Sequence, residues 1–328
     1  MNFLVLGYGS IGKRHAKNLG TLGHRVRVVE PCSKRRLEAR EDGHTSYKSL
    51  IGVDSLSSVD AVLICTPPKF HVSQTLWALK AGLKVFLEKP IGITLEECLE
   101  VLNLDHRHVF VGYNYHWNPQ VIELKRRISQ ESMGKLYYCQ MSMGMNLKDW
   151  HPWEDYRTFF MSSKDLGGGA LLDESHFLEL AIDFFGLPLS ISSNQNKLST
   201  LEIDSDDYVF TQLQYEDLTI DIKLDLFRRP HESKIEVYGA QGSLICDFIQ
   251  HTNTIVSDTE PEAPLTSSEI FQYERNDIFL DMIKSFIAFV NFPETKATIP
   301  YERGIQVMML IEKIREASLK RSVLNIEQ

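Results

Sequence analysis

The stretch that decides the fold is "NFLVLGYGSIGKRHAKNLG", residues 2–20. It joins a short apolar run, a glycine-rich segment and a helical pattern, which together predict a buried strand, a tight turn and a helix. The glycines have the spacing Gly7-x-Gly9-x-x-Gly12. In this spacing the first glycine makes the turn, the second lets a pyrophosphate approach the backbone, and the third lets the helix pack closely on the strand. We therefore predict a dinucleotide-binding site at this turn.

The start of this helix and the end of the second strand extend the predicted site. Ser10 and Ile11 open the helix, where backbone N–H groups bind phosphates. Glu30 ends the strand "RVRVVE", eighteen positions after Gly12. An acidic residue there hydrogen-bonds the ribose hydroxyls of NAD and repels the extra phosphate of NADP. We expect NAD, although Ser-Lys-Arg at 33–35 could accommodate a phosphate and keeps NADP as an alternative.

Strand and helix patterns alternate through about the first 115 residues. This alternation predicts strand–helix–strand units and a doubly wound parallel sheet of the Rossmann type. Thr94 and Glu97 have the spacing of a capping box, which predicts a helix start. The predicted strands are 2–7, 25–30, 61–68, 84–90 and 108–114.

After Pro119 hairpin signals replace the crossover helices, which predicts a second α+β domain with an open, largely antiparallel sheet. Residues 251–269 are polar and acidic and predict a surface loop with weak strand content. We assign 1–118 to a dinucleotide-binding Rossmann domain and 119–328 to a substrate-binding and oligomerisation domain, whose last helix packs back toward the first. Its predicted strands lie within 135–145, 207–217, 218–227 and 233–248, and its helices within 121–130, 170–185, 276–290 and 301–320.

Composition limits the class of protein. A chain of 328 residues is too long for one ordinary core, so two domains are expected. The formal net charge of -9 argues against nucleic acid or an anionic membrane as partner. No apolar stretch approaches the ~20 residues of a membrane helix, and the first residues lack the pattern of a signal peptide. The five cysteines have no metal-binding spacing, so we expect no metal site and a reducing, cytoplasmic location.

Five motifs occur in a set order along the chain: "FLVLGYGSIGKRHAKNL", "CTPPKFH", "FLEKPIG", "VGYN" and "GGGALLDESH". In this order they resemble the glucose–fructose oxidoreductase / inositol dehydrogenase / MocA (Gfo/Idh/MocA) family, essentially from end to end. The resemblance implies an N-terminal Rossmann domain and a C-terminal open-faced sheet. It also implies that the protein oxidises or reduces a carbon of a sugar or cyclitol with NAD or NADP.

Glu88-Lys89-Pro90 closes the fourth predicted strand. Ligands of parallel sheets bind outside the carboxyl ends of the strands, which places Lys89 beside the cofactor and the substrate. Oxidation of a hydroxyl-bearing carbon requires a group that accepts the hydroxyl proton. In the resembled family this lysine faces nicotinamide and substrate, and its bond to proline is often cis. We expect Lys89 to be catalytic and Glu88 to belong to the cofactor site.

A second cluster lies in "GGGALLDESHFLELAIDFF", residues 167–185. Asp173 and His176 are three residues apart, which puts them on one face of a single helix. We predict that both contact the substrate and take part in proton transfer, and whether Lys89 or His176 accepts the proton stays open. Many family members have a gap of four residues here. The shorter gap resembles a branch found among genes for bacterial surface sugars such as nonulosonic acids.

Further candidates lie at strand ends and in the aromatic segment "WHPWEDYR", residues 150–157. The segment combines ring faces with polar tips, as sugar binding needs, although protein interfaces share this composition. Thr66-Pro67, with His71 opening the next helix, resembles the family's turn over the nicotinamide ribose. Tyr156-Arg157 resembles the family's Trp-Arg pair near the cofactor. Where the family has an arginine after the fifth strand, this chain has His116.

The complete set of predicted site residues has three parts. The catalytic candidates are Lys89, His176 and Asp173. The cofactor-binding candidates are Gly7, Gly9, Ser10, Ile11, Gly12, Glu30, Thr66, Pro67, His71, Glu88, Lys89, Asn114 and Arg157. The substrate-binding candidates are Lys89, Tyr113, Trp153, Tyr156, Asp173 and His176.

The sequence thus predicts an NAD(P)-dependent oxidoreductase that transfers hydride between nicotinamide and a hydroxyl-bearing carbon of a sugar, cyclitol or nucleotide-linked sugar. Two alternatives stay open: a non-catalytic dinucleotide-sensing regulator, and a glycosidase that eliminates through a transient NAD-dependent oxidation. Apolar alternation in the second domain leaves one sheet face for self-association, so we expect a homodimer or homotetramer through that sheet. The exact substrate and the physiological direction are not determined by the sequence.

Overall fold

The chain folds into two compact units. The first comprises residues 1–114 and 274–308, and the second comprises residues 115–273 and those from 309 onward. The predicted division after residue 118 differs from these units in two places, because the boundary falls four residues earlier and a C-terminal segment joins the first unit. The computed structural model describes residues 1–53, 56–257, 265–292 and 294–326.

The helices lie close to the predicted positions, except that the predicted helix 170–185 is divided in two and the short helix Leu147–Trp150 lies in no predicted segment. Helix α4 begins at the predicted capping box, where the Glu97 amide donates to the Thr94 hydroxyl (3.4 Å) and the Glu97 carboxylate accepts from the Thr94 amide (3.0 Å). In the part of the chain that is described, no helix is long and apolar enough to cross a membrane. In chain order the described α-helices are α1 (Ser10–Thr21), α2 (Ser33–Glu41), α3 (His71–Lys80), α4 (Leu95–Leu99), α5 (Pro119–Ser129), α6 (Leu147–Trp150), α7 (Ala170–Asp173), α8 (His176–Phe185), α9 (Arg275–Asn291) and α10 (Tyr301–Lys320).

The first unit contains a parallel sheet with the strand order β3-β2-β1-β4-β5-β6. Its central strands are buried along nearly their whole length, as continuous apolar runs require when helices cover both faces of a sheet. The predicted doubly wound parallel sheet is confirmed. The strands are β1 (Asn2–Leu6), β2 (Arg25–Val29), β3 (Thr45–Tyr47), β4 (Ala61–Ile64), β5 (Lys84–Leu87) and β6 (Val109–Val111).

The C-terminal segment 274–308 completes the core of this unit. Phe286 of α9 packs edge-on against Phe86 of β5, with ring centroids 5.4 Å apart, and against Phe110 of β6 at 5.7 Å. The amide of Val111 donates to the carbonyl oxygen of Ile299 (3.0 Å). These aromatic and backbone contacts explain why a segment so distant in sequence belongs to the first unit.

The second unit contains a nine-stranded sheet in the order β14-β13-β12-β11-β7-β10-β9-β8-β15. Its pairs are antiparallel except for β7 with β10, so the predicted open, largely antiparallel sheet is confirmed. Buried and half-buried side chains alternate along β9 and β10, which is the pattern of a sheet with one covered face. The strands are β7 (Leu136–Gly144), β8 (Ser190–Asn196), β9 (Tyr208–Gln214), β10 (Thr219–Asp225), β11 (Glu232–Gly239), β12 (Gly242–Asp247), β13 (Thr252–Ser257), β14 (Leu265–Ile270) and β15 (Leu324–Asn325).

The segment 251–269, which is predicted as a surface loop with weak strand content, is regular strand over most of its length. Strands β13 and β14 pair in antiparallel fashion there, while residues 258–264 lie outside the described residues. All side chains of β14, which is an edge strand of the sheet, are exposed. An exposed edge strand has no buried face, and therefore no apolar alternation that a sequence pattern could reveal.

Gln120 of α5 joins three backbone segments of the second unit. It is fully buried, and its side-chain amide donates to the carbonyl oxygens of Asp247 (3.0 Å) and Thr252 (3.1 Å). Its side-chain oxygen accepts from the hydroxyl of Tyr273 (2.7 Å). This side chain holds the turn between β12 and β13 against α5.

Replacing Gln120 with leucine should destabilise the second unit. The substitution keeps most of the volume but leaves the Tyr273 hydroxyl without this acceptor and two carbonyl oxygens without this donor. We expect the free energy of unfolding, measured by urea denaturation, to fall by about 2–3 kcal/mol. The exposed Gln130, substituted as Gln130→Ala, is the control and should change it by less than about 0.5 kcal/mol. An equal effect of both variants would contradict the assignment.

Candidate active site

The glycine-rich turn between β1 and α1 has the geometry predicted from its spacing. Gly7 has a φ of +89° and donates its amide to the carbonyl oxygen of Val29 (2.8 Å). A Cβ at Gly7 would lie 2.8 Å from the carbonyl oxygen of Cys65, and a Cβ at Gly12 would lie 2.1 Å from the carbonyl oxygen of Gly7. Both positions therefore exclude any side chain, because the backbone after β4 packs against Gly7 and α1 packs directly on the turn at Gly12.

Gly9 differs from its two neighbours in the motif. A Cβ built on Gly9 would meet no described atom within 4 Å, and the residue has an ordinary φ of -71°. Gly9 is also the N-cap of α1, which no side chain of the described residues caps. The start of this helix thus faces open space with its N–H groups, which is the arrangement that binds a phosphate. The turn fits the pyrophosphate of a dinucleotide.

Glu30 connects the glycine-rich turn to the loop after β2. Its carboxylate is buried and accepts from the amides of Tyr8 (2.7 Å) and Cys32 (2.8 Å). Each carboxylate oxygen has a further lone pair, so the group can still accept from a ribose hydroxyl. The guanidinium of Arg36 donates to the carbonyl oxygens of Glu30 (2.8 Å) and Pro31 (2.5 Å), which fixes this loop.

His71, predicted to bind the cofactor, is buried as the first residue of α3. Its Nδ1 lies 2.6 Å from the carbonyl oxygen of Pro90, and its Nε2 lies 2.7 Å from that of Thr66. A neutral ring can donate to only one of these oxygens, whereas a protonated ring donates to both. Burial lowers the pKa of His71, and the two carbonyl groups with Glu88 and Glu97 act in the opposite direction. His71 therefore holds two loops together.

The end of β5 places Glu88 and Lys89 in different surroundings. Glu88 is buried, and its Oε1 lies 2.6 Å from Nε2 of the fully buried His15 of α1. Lys89 is half-buried, and its peptide bond to Pro90 is cis, as the resemblance implied. No sequence pattern indicates His15 as a partner of Glu88, because 73 residues separate the two.

The end of β6 supplies a buried polar atom with the capacity to bind a ligand. Tyr113 is almost fully buried, and Asn114 follows it. The side-chain oxygen of Asn114 is buried and has no hydrogen-bond partner among the described residues. Such an atom costs free energy unless a donor reaches it, and the amide of a nicotinamide is a donor of the required kind.

In the second unit, Asp206 holds the loop that contains the glycine run. A Cβ at Gly169, which has a φ of +112°, would lie 2.3 Å from Oδ1 of Asp206. Oδ2 of Asp206 accepts from the amide of Leu171 (2.9 Å), and its backbone carbonyl oxygen accepts from the amide of Ala170 (3.0 Å). Burial raises the pKa of Asp206. Asp206 was not among the predicted site residues, because no pattern distinguishes one aspartate within the acidic run 204–207.

The prediction that Asp173 and His176 share one face of a single helix is wrong. Asp173 ends α7 and His176 begins α8, so they belong to two helices. The amide of Phe177 donates to the carbonyl oxygen of Glu174 (3.2 Å), three residues back, which is the tighter 3₁₀ spacing. Asp173 is buried, and the half-buried ring of His176 packs edge-on against Tyr115 at 5.1 Å.

The aromatic segment 150–157 is largely exposed. The side chain of Trp153 is 77% exposed and stacks on His151, with ring centroids 5.4 Å apart. Arg157 forms ion pairs with Asp155 (2.7 Å) and Glu202 (3.0 Å), and these groups are exposed. The guanidinium of Arg157 is thus bound by two carboxylates, and its predicted contact with a cofactor stays a prediction.

His116, which stands where the resembled family has an arginine, forms an ion-pair network. Its Nε2 lies 2.8 Å from Oε2 of the buried Glu179. The ligand atoms of His116, Glu179 and Asp183 lie within 4.8 Å of one another, which is close enough to hold a metal ion. The ammonium group of Lys125 binds Asp183 at 2.8 Å, so this carboxylate already has a cationic partner.

Comparison with known proteins identifies the family. A family model described as "Oxidoreductase family, NAD-binding Rossmann fold" matches residues 1–115, and one described as "GFO/IDH/MocA C-terminal domain" matches residues 121–245. The chain is 23% identical over 344 residues to a myo-inositol 2-dehydrogenase of Thermotoga maritima, covering 98% of each chain.

Two solved structures show the same fold. One is a levoglucosan dehydrogenase in complex with NADH and levoglucosan, with a TM-score of 0.88, 18% identity and full coverage of both chains. The other is the WlbA dehydrogenase of Bordetella pertussis in complex with NADH and UDP-GlcNAcA, with a TM-score of 0.80, 17% identity, and coverage of 100% of this chain and 99% of that one. Both family models, the Rossmann sheet and the glycine-rich turn agree, and this chain belongs to the Gfo/Idh/MocA family of NAD-binding oxidoreductases.

Proposed function

We propose that this oxidoreductase is an NAD-dependent dehydrogenase for a hydroxyl-bearing carbon of a sugar, cyclitol or nucleotide-linked sugar. The observation that carries the proposal is the open space over Gly9, between two glycines that admit no side chain, at the start of α1. The carboxyl end of β5, with Lys89, belongs to the same parallel sheet. Ligands of such sheets bind at these ends.

The residues of the first unit suit the parts of NAD one by one. The start of α1 would hold the pyrophosphate, and the remaining lone pairs of Glu30 would accept from the adenosine ribose. The buried oxygen of Asn114 would accept from the nicotinamide amide. When bound, NAD accepts the hydride that leaves the substrate carbon. NADP stays an alternative that the Glu30 carboxylate disfavours by repulsion.

Lys89 is the proposed acceptor of the hydroxyl proton. Oxidation of an alcohol releases that proton as the carbonyl forms, so a base within hydrogen-bond reach speeds the reaction. His176 and Asp173 are the proposed partners from the second unit, which orient the hydroxyl group or pass the proton on. Because α7 ends at Asp173 and α8 begins at His176, the two side chains lie at the ends of two different helices.

The substrate class and the assembly are inferred from different observations. The relatives act on inositol or are bound to levoglucosan or a nucleotide-linked uronate, which supports a polyhydroxylated ring as substrate. The alternating burial in β9 and β10 leaves one partly exposed sheet face. This face supports the proposal of a homodimer or homotetramer through that sheet. The cytoplasmic location stays a prediction.

Gly9→Ala tests the cofactor site without disturbing the fold. Because the space over Gly9 is open, we expect the apo protein to melt within a few degrees of the parent. The added methyl group should obstruct the pyrophosphate and raise the Kd for NADH at least about tenfold. Gly20→Ala, at an exposed position near the end of α1, is the matched control. Unchanged NADH binding by Gly9→Ala, measured by fluorescence titration, would refute the assignment of the turn.

Lys89→Met tests the proposed chemistry. We expect the parent to produce NADH from myo-inositol, levoglucosan or UDP-GlcNAcA, and the variant to lose at least about 100-fold in kcat. The Kd for NADH should change much less than kcat, because the start of α1, Glu30 and Asn114 still bind the cofactor. Lys80→Met, at an exposed position of α3, is the control.

The same three compounds distinguish the proposed dehydrogenase from the two alternative functions. NADH binding without turnover of any of these compounds would favour a dinucleotide-sensing regulator. Release of a free sugar from glycosides without net NADH would favour the redox-elimination glycosidase.

His176→Gln and Asp173→Asn test the contribution of the second unit. Each change keeps the size of the side chain and removes its role as a base. We expect kcat on the best substrate to fall about 10- to 100-fold for both variants. The exposed Asp217, changed as Asp217→Asn, should leave kcat unaltered. Losses smaller than about threefold for both site variants would exclude these residues from the reaction.

A further inference from the structure

Lys89 lies between two residues that are each fixed by a buried imidazole. On one side, Nε2 of His15 lies 2.6 Å from Oε1 of Glu88. On the other side, Nδ1 of His71 lies 2.6 Å from the carbonyl oxygen of Pro90. Both rings are at most 1% exposed. The two histidines come from different helices, α1 and α3.

The contact between His15 and Glu88 is closely enclosed. The His15 ring packs edge-on against Phe86 at 5.0 Å and lies 6.0 Å from Phe279. Its Nδ1 has no hydrogen-bond partner among the described residues, so the ring's recorded polar contact is with Glu88. A buried carboxylate is costly unless it is paired. Gly112 leaves space for the Phe86 ring that packs on His15, since a Cβ there would lie 2.9 Å from Cζ of Phe86.

Backbone pairing alone does not fix Lys89. The amide of Glu88 donates to the carbonyl oxygen of Ile64 (3.0 Å), which extends the pairing of β4 and β5 by one residue. Pro90 has no N–H group and cannot continue the ladder. The two imidazole contacts begin at the point where the sheet hydrogen bonds end.

We propose that His15 and His71 are positioning residues that hold Lys89 in place through Glu88 and Pro90. The proposal rests on the proposed function, in which Lys89 accepts the substrate proton. It goes further, because it connects the reactive lysine to both helices that begin at the predicted cofactor-binding turns. His15 lies in the helix that starts at Gly9, and His71 also holds the turn at Thr66. The end of β5 is therefore connected to the turn at Gly9 through His15 and to the turn at Thr66 through His71.

Amide hydrogen exchange of the apo protein tests this positioning without any cofactor or substrate. In His15→Leu we expect the peptide over residues 84–92 to exchange about tenfold faster, because local opening of the strand end becomes easier. Exchange in β1 should stay at the parental rate. His71→Leu should have the same local effect. His24→Leu is the control, since His24 lies before β2, at the opposite end of the same sheet.

Kinetics test the consequence for catalysis. On the best substrate of the panel, we expect His15→Leu to lower kcat about 10- to 100-fold, as misplacing a reacting group by about 1 Å does. The Kd for NADH should change by less than about threefold. The solvent deuterium isotope effect on kcat should rise, because a displaced lysine slows the proton step. Partial unfolding would lower kcat without changing the isotope effect.

A conservative variant separates positioning from general damage. The amide of glutamine can reach Glu88, so His15→Gln should recover kcat to within about threefold of the parent. The shorter His15→Asn should not, and it replaces His15→Leu if the latter fails to fold. The proposal is overturned if exchange over 84–92 is unchanged in His15→Leu and His15→Asn, or rises equally in β1. Full activity of Lys89→Met would instead overturn the proposed role of Lys89 as proton acceptor, and no NADH production by the parent would overturn the proposed function, while the exchange result would stand in either case.

Discussion

The close approach of α1 to the first turn is the constraint on which the first unit depends. A Cβ at Gly12 of α1 would lie 2.1 Å from the carbonyl oxygen of Gly7, so the helix packs against the end of β1 too closely for any side chain. This packing sends α1 back along the sheet and buries His15 against Phe86. It also presents the helix start, at Gly9, to open space. One steric requirement thus sets both the cofactor site and the support beneath the strand end that carries Lys89.

The parts of the fold that the sequence predicts are those whose signals are local. The turn at Gly7, the capping box at Thr94 and the buried runs of the parallel strands are each specified within a few residues. The edge strands β3 and β14 escaped prediction, because three residues are too few for a pattern and an exposed strand has no apolar face. The interruption between α7 and α8 was not predicted for another reason: the helical spacing of apolar residues continues through it.

In the candidate site, too, local sequence signals predict individual residues but not their distant partners. Glu88 and Lys89 were predicted from their place at a strand end, but the partner of Glu88 lies in α1 and the fixing of Pro90 comes from α3. His71 was predicted to touch the cofactor, and the structure places both its nitrogens on backbone carbonyl groups. Contacts between residues so distant in the chain are set by how the helices pack on the sheet, and no local sequence pattern indicates them. The two adjacent charged residues at the end of this strand thus have different surroundings: Glu88 is buried against an imidazole, and Lys89, the proposed proton acceptor, is half-buried.

The discontinuity of the first unit has a consequence for how the protein is made. Phe286, which closes the aromatic core over Phe86 and Phe110, lies in a segment that follows eight of the nine strands of the second unit's sheet in the chain. During synthesis, which runs from the N-terminus, the ribosome therefore releases the nucleotide-binding sheet long before its covering helix. Until residues 274–308 emerge, the rings of β5 and β6 stay without that cover. The nascent chain must keep an apolar surface from aggregating while nearly all of the second unit is translated.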